Sequence, residues 1–203
     1  SPFRHADCGV LRIPDIGADP RDNSGHSAAI IRELPVMLED ALGSLVLFSS
    51  RRQMLEVFAG LPAEFRPRVL VQGDLSKQEL IRQHRARVDK DEPSVIFGLA
   101  SFAEGVDLPG RYCEHVVIAK IPFAVPDDPV EAALSEWIER NGGNPFMEIA
   151  VPDACLRLVQ ACGRLLRTEQ DRGVITLLDR RLVTQRYGKA ILNALPPFRR
   201  EID

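Results

Sequence analysis

Apolar residues along this chain follow two rhythms. Short runs that are apolar on both faces alternate with longer stretches in which apolar positions recur every three or four residues. The runs are LVLFS (45–49), RVLVQ (68–72), SVIFGL (94–99), HVVIAKI (115–121) and GVITLLD (173–179), with a weaker one, GVLRI, at 9–13. Between them lie helical patterns at 25–41, 50–60, 76–88, 128–140, 152–167 and 183–194. Strands apolar on both sides and separated by helices predict a parallel sheet covered on each face, an α/β doubly wound domain.

Local signals sharpen these boundaries. Ser76 with Glu79 three residues later reads as a capping box, and Asp127-Asp128-Pro129 supplies caps and a first-turn proline before VEAALSEWIER. Gly142-Gly143 stops that helix, and PDIGADPRDNSG (14–25) reads as a surface loop. Trp137 shares a helical face with Val130, Ala133, Leu134 and Ile138, which predicts a core face rather than a base-stacking platform. The closing LPPFRREID (195–203) reads as a loosely held end.

Composition adds limits. A chain of 203 residues, 45% hydrophobic and 27% charged, can bury a full core, so a single domain over 1–203 is expected. A net charge of -3 gives no global attraction to nucleic acid, and any polyanion contact must be local. Cys8, Cys113, Cys155 and Cys162 are too scattered for a C-x-x-C metal knuckle and suggest no disulfide framework; a reducing cytoplasm is the expected setting. No stretch approaches 18 uninterrupted apolar residues, and the amino end carries no signal pattern, so no membrane partner is expected. The sequence opens without a methionine, which suggests a fragment or a processed chain.

In open α/β sheets, ligands sit beyond the carboxyl ends of the strands. After 45–49 comes SSRRQ, where Ser49, Ser50, Arg51 and Arg52 either hold a phosphate at a helix amino end or simply cap and solvate it. After 68–72, Gln72 and Gly73 offer either a polar contact to a nucleic-acid backbone or an ordinary turn. After 94–99, ASFAEGVDLPG (100–110) is a tight loop carrying Glu104 and Asp107, with no third acid nearby to suggest a separate metal site. In the helix starting near Pro152, Arg157, Gln160, Arg164 and Arg167 align at spacings of 3, 4 and 3, opposite an apolar side. Gly163 costs about 1 kcal/mol in a helix interior, so it predicts close approach by another segment or a ligand. Rigid arginines beside such an approach suit phosphoryl transfer.

QACGRLLR (160–167) resembles the Q-x-x-G-R-x-x-R element, motif VI, of superfamily 2 helicases. FAEGVDLPG (102–110), within the motif V region 100–110, resembles their motif V, and SLVLFSS (44–50) their motif IV. With the leading SPF and the closing YGKAILNALPPF, the pattern is similar to DinG-type helicases, including their YoaA-like branch, which relate to the xeroderma pigmentosum group D iron–sulfur helicases. The resemblance implies a RecA-like second motor domain of a bacterial, ATP-dependent 5′-to-3′ DNA helicase acting at the nucleoid in repair or replication. By motif position it implies that Arg164 and Arg167 face the γ-phosphate, supported by Gln160. Glu104, Gly105, Asp107 and Gly163 would line the nucleotide side. Ser49, Ser50, Arg51, Gln72, Ser101 and Phe102 would meet single-stranded DNA.

The sequence has no G-x-x-x-x-G-K-[ST] loop; Gly188-Lys189-Ala190 falls inside a helical pattern. The resemblance therefore assigns the phosphate cradle, the Mg²⁺ ligands and the 4Fe-4S cysteines to an amino-terminal motor half, the partner with which ATP would be shared, and implies no hydrolysis by this segment alone. Two rival readings accompany it. One is a docking module using an exposed Phe198, with Arg199 and Arg200, to bind a replication-factor subunit near Pro196–Asp203. The other is part of a DinG-like nuclease.

Overall fold

Six of the seven strands coincide with the apolar runs, and all pair in parallel. The structure, a computed structural model, describes residues 5–124, 128–164 and 171–203. The strands are β1 Gly9–Ile13, β2 Gly43–Phe48, β3 Val69–Val71, β4 Ser94–Leu99, β5 His115–Ile118, β6 Gly173–Leu177 and β7 Arg199–Ile202. Their spatial order is β3-β4-β2-β5-β6-β1-β7. The helices are α1 His5–Cys8, α2 Asn23–Met37, α3 Arg51–Gly60, α4 Lys77–Asp89, α5 Pro129–Arg140, α6 Val151–Cys162, α7 Arg181–Thr184 and α8 Arg186–Ala194.

Strand residues alternate between two cores, as a sheet buried on both faces requires. Val46, Phe48 and Phe97 meet Ile30 and Leu34 of α2 and Met54 and Val57 of α3. Leu45, Leu47 and Ile175 point the other way, toward Leu80 of α4, Leu158 of α6 and Ile191 of α8. Caps fix where the helices begin. Ser50 accepts from the Gln53 N–H at 3.4 Å, Ser76 from that of Glu79 at 3.2 Å and Asp128 from that of Val130 at 2.8 Å. Asp127 lies outside the described residues. Only half of the expected capping box forms, because the Glu79 carboxylate turns to Arg82 and Gln83. The Arg82 hydrogen bonds hold that carboxyl at about 2, well below its ordinary range.

Four expectations are corrected. Of the helix read over 152–167, α6 ends at Cys162 with Gly163 as its C-cap at φ −65°, and 165–167 lie outside the described residues. A Cβ there would meet only the Gln160 and Val159 carbonyls, at 3.4 and 3.5 Å, in ordinary contact, so no close approach among the described residues accounts for the glycine. The face of α5 read as core is largely open, with Val130, Leu134 and Trp137 exposed and only Ile138 buried. The stretch 183–194 is two helices hinged at the extended Gln185, and Gly188 is required because a Cβ would sit 2.2 Å from the Leu182 carbonyl.

The closing segment is the fourth correction. Residues Arg199–Ile202 form β7 beside β1, with Arg12 and Glu201 paired at 2.8 Å. Phe198 is buried, with 5% of its surface exposed, and Arg200 donates to the Leu192 carbonyl at 2.6 Å. The end is a strand of the sheet, neither frayed nor presenting Phe198 for docking.

Candidate functional site

Because β3, β4 and β2 are neighbours, the loops that follow them lie side by side at the carboxyl edge of the sheet. The loops after β3 and β4 enclose a cleft of about 280 Å³ lined by Gln72, Gly73, Lys77, Ser101 and Phe102, together with Leu75 and Leu80. Gln72 is tied into the fold on both sides. Its side-chain oxygen accepts from the Leu99 N–H at 2.7 Å, and its carbonyl from Arg51 Nη1 at 3.5 Å. Arg51 also lies over Gly73, whose φ of +104° favours glycine and where a Cβ would come within 2.8 Å of the guanidinium. Arg51, Gln72, Ser101 and Phe102 are thus brought together, with exposed Ser49 and Ser50 at the adjoining end of β2. The Ser50 hydroxyl is already the cap of α3.

Phe102 departs from its assignment. Its ring is buried, 3% exposed, packed so closely on Gly98 that a Cβ there would lie 2.9 Å from it, with the Lys77 ammonium 5.0 Å from its centroid. It braces the cleft from within the core and presents no open face to a base. Lys77, which sequence reasoning missed, stands in its place at the surface; a lone lysine in a helix's first turn gives no pattern that would single it out.

The loop 100–110 continues from this cleft to a second group. Val106 and Leu108 are fully buried, Asp107 is exposed between them, and Glu104 and Gly105 are exposed just before them. The alternation anchors the loop through its apolar members and turns its acids outward. Gly105 makes the turn at φ +69°, and Gly110, at φ +59°, donates its N–H to Asp171 at 3.1 Å. At the end of α6, Arg164 reaches this loop, donating Nη1 to the Val106 carbonyl at 2.7 Å and Nε to the Gln160 carbonyl at 3.3 Å. The Gln160 side chain is exposed, and Arg157 is ion-paired with Asp153 at 2.8 Å. Arg167 lies outside the described residues.

The other ionisable groups of the core are structural. Burial lowers the pKa of His26 and His84, and lowers that of His115 to about 4. His26 Nε2 donates to the Leu178 carbonyl at 2.7 Å, so its neutral ring accepts at Nδ1 from the Gln53 amide at 2.9 Å. Buried Asp179 accepts from the Ile121 N–H at 2.8 Å and from Arg181 Nη2 at 2.6 Å, tying the segment after β5 to the end of β6. Burial pushes the Cys113 and Cys162 thiols up to about 12. The four cysteines do not converge, and among the described residues no group of three His, Cys, Asp or Glu side chains is arranged to hold a metal ion. They do not fit an iron–sulfur cluster.

A sheet of this order, with a polar cleft and an arginine-anchored loop at its edge, defines a class. The chain belongs to the helicase C-terminal domain family, whose model matches residues 35–198. Within it, the similarity is to DinG-type helicases. The ATP-dependent DNA helicase DinG of Photobacterium profundum is 44% identical over 210 residues, covering 100% of this chain and 30% of that protein. DinG of Salmonella typhimurium is 41% identical over 202 residues, covering 98% of this chain and 28% of that protein. The chain therefore spans less than a third of the length of these relatives. Among solved structures, an XPD helicase superposes with a TM-score of 0.71 at 20% identity, over 97% of this chain and 36% of that one. The C-terminal domain of a DEAD-box protein superposes with a TM-score of 0.54 at 14% identity, over 96% and 90% of the respective chains. These likenesses are of fold, that of a RecA-like helicase domain.

Proposed function

We propose that this chain is the second motor domain of an ATP-dependent DNA helicase moving 5′ to 3′ on single strands. The observation that carries the reading is the hydrogen bond from Arg164 to the Val106 carbonyl. It joins the arginine end of α6 to a loop whose other end, Ser101, lines the cleft at the carboxyl edge. One loop thus touches both the group suited to a phosphate and the surface suited to a strand. The relatives at 41–44% identity bear the name ATP-dependent DNA helicase, which supports the same substrate pair.

In this reading ATP lies between this domain and an amino-terminal motor half that contributes the phosphate cradle and the Mg²⁺ ligands. Arg164 and Arg167 bring guanidinium groups to the γ-phosphate and offset the charge that develops on transfer, with Gln160 beside them. Glu104, Gly105, Asp107 and Gly163 border the nucleotide. Ser49, Ser50, Arg51, Gln72 and Ser101 meet the DNA backbone, for which hydroxyls, an amide and a guanidinium are apt donors. Lys77 adds a cation to the same cleft. Tilting of the 100–110 loop as the two halves close is the means by which hydrolysis is felt at the strand.

The test is made in the full-length protein. Arg164→Ala and Arg167→Ala each lower single-strand-stimulated ATP hydrolysis by roughly 10³-fold, the scale of an arginine finger, and leave single-strand binding in place. Turnover at the wild-type rate in either variant would sink the assignment of that arginine.

A further inference from the structure

Three successive anchors hold the exposed loop, and each is a cation on a main-chain carbonyl. Lys77 Nζ meets the Glu104 oxygen at 2.5 Å, Arg164 Nη1 the Val106 oxygen at 2.7 Å, and Arg85 Nη2 the Asp107 oxygen at 2.5 Å. Lys77 and Arg85 stand eight residues apart on α4, about 12 Å along its axis, so one helix grips the loop at two points.

Arg85 is the member of this set that folding alone explains least. Its Nε is buried without a hydrogen-bond partner among the described residues, an arrangement that works against folding. Its guanidinium is held 5.2 Å from the centroid of the Tyr112 ring. That ring is itself fixed: the Tyr112 hydroxyl donates to Asp89 at 2.7 Å, and its carbonyl accepts from His84 Nε2 at 2.7 Å. His84 Nδ1 in turn meets the Ser94 hydroxyl at 2.8 Å. The guanidinium is therefore aimed by a braced aromatic platform, and what it is aimed at is the peptide of Asp107.

We propose that Arg85 is a positioning residue for the motor loop: by fixing the Asp107 carbonyl it sets the direction in which Asp107 and its neighbours face the nucleotide. The role of the loop rests on the function proposed above; the clamp itself does not. Fixing one peptide plane narrows the settings of the Asp107 side chain and keeps the Val106 carbonyl in reach of Arg164. A misplacement of about 1 Å at such a site is worth up to roughly 100-fold in rate.

The experiment uses the full-length protein with Arg85→Ala and Arg85→Lys, read by single-strand-stimulated ATP hydrolysis and by backbone hydrogen exchange. Arg85→Ala lowers kcat by roughly tenfold while KM for ATP and single-strand affinity without nucleotide stay within about twofold, and exchange quickens at 104–108 alone. Arg85→Lys recovers most of kcat, because an ammonium can reach the same carbonyl. A kcat for Arg85→Ala within about twofold of wild type overturns the proposal. So does a loss that lysine does not rescue and that comes with faster exchange across the whole domain. If the wild-type protein hydrolyses no ATP, the proposed function fails instead. The clamp is then judged by exchange at 104–108, which quickens locally in Arg85→Ala if it exists and is unchanged if it does not.

Discussion

Helices α5 and α6 are neighbours in the chain, each of 12 residues and each with an apolar face, yet their fates differ. Helix α6 buries Val151, Ala154, Leu158, Ala161 and Cys162 against the sheet. Helix α5 buries only Ile138 and leaves Trp137 63% exposed. Periodicity reports that an apolar face exists; whether it is covered depends on where the connecting loops deliver it. The face of α6 lies on the sheet, whereas that of α5 is left open.

The sharpest way to break this contrast is truncation on each helix. Leu158→Ala should cost about 2–5 kcal/mol, because a fully buried leucine leaves a cavity, whereas Trp137→Ala should stay within about 0.5 kcal/mol. Urea unfolding of the two variants decides it, and equal losses would mean that α5 is covered in solution.

Acid probes the same division less strongly. His26, His84 and His115 are all buried on or against the sheet, and α5 has no histidine. Their folded pKa values lie below the ordinary 6.5, that of His115 at about 4, so between those values the unfolded chain binds protons that the folded one refuses. Stability is full above pH 6.5 and falls as the pH drops toward 4, by an amount on the order of a few kcal/mol. A urea midpoint unchanged between pH 7 and pH 4.5 would contradict it. The smallest effect is optical. Trp137 is the single tryptophan of the chain, and its emission should be readily quenched by acrylamide and little altered by Leu158→Ala short of unfolding; a shielded indole would overturn the open-face description.

What the sequence made legible follows the same physics. Strands with apolar residues on both faces, such as SVIFGL, announce themselves, and β4 spans the same residues as that run. Strand β7 does not, because Arg199, Arg200 and Glu201 leave it one apolar residue and its place at the sheet edge asks for no more. The end of α6 was hidden in another way: Gly163 sits one residue beyond the last helical position, and a periodic pattern does not reveal where its helix stops. That Arg51, Gln72 and Ser101 converge at one edge of the sheet was readable because strand ends can be counted. The anchoring by Lys77 and Arg85 was not, since side chains that seek main-chain carbonyls across 22 or 27 residues leave no local spacing to read.

The pairing of β7 with β1 bears on the order in which the sheet can be assembled. Strands β2 to β5 pair with one another within residues 43–118, leaving only the edge of β5 that later takes β6, so that part of the sheet can zip up while the chain is still being made. Strand β1 is synthesised before them all, yet its two neighbours are β6 and β7, and Arg12 waits 189 positions for Glu201. The first strand of this sheet in chain order is thus among the last to be enclosed. Closing so long a loop is entropically slow, and until it closes β1 carries two unpaired edges.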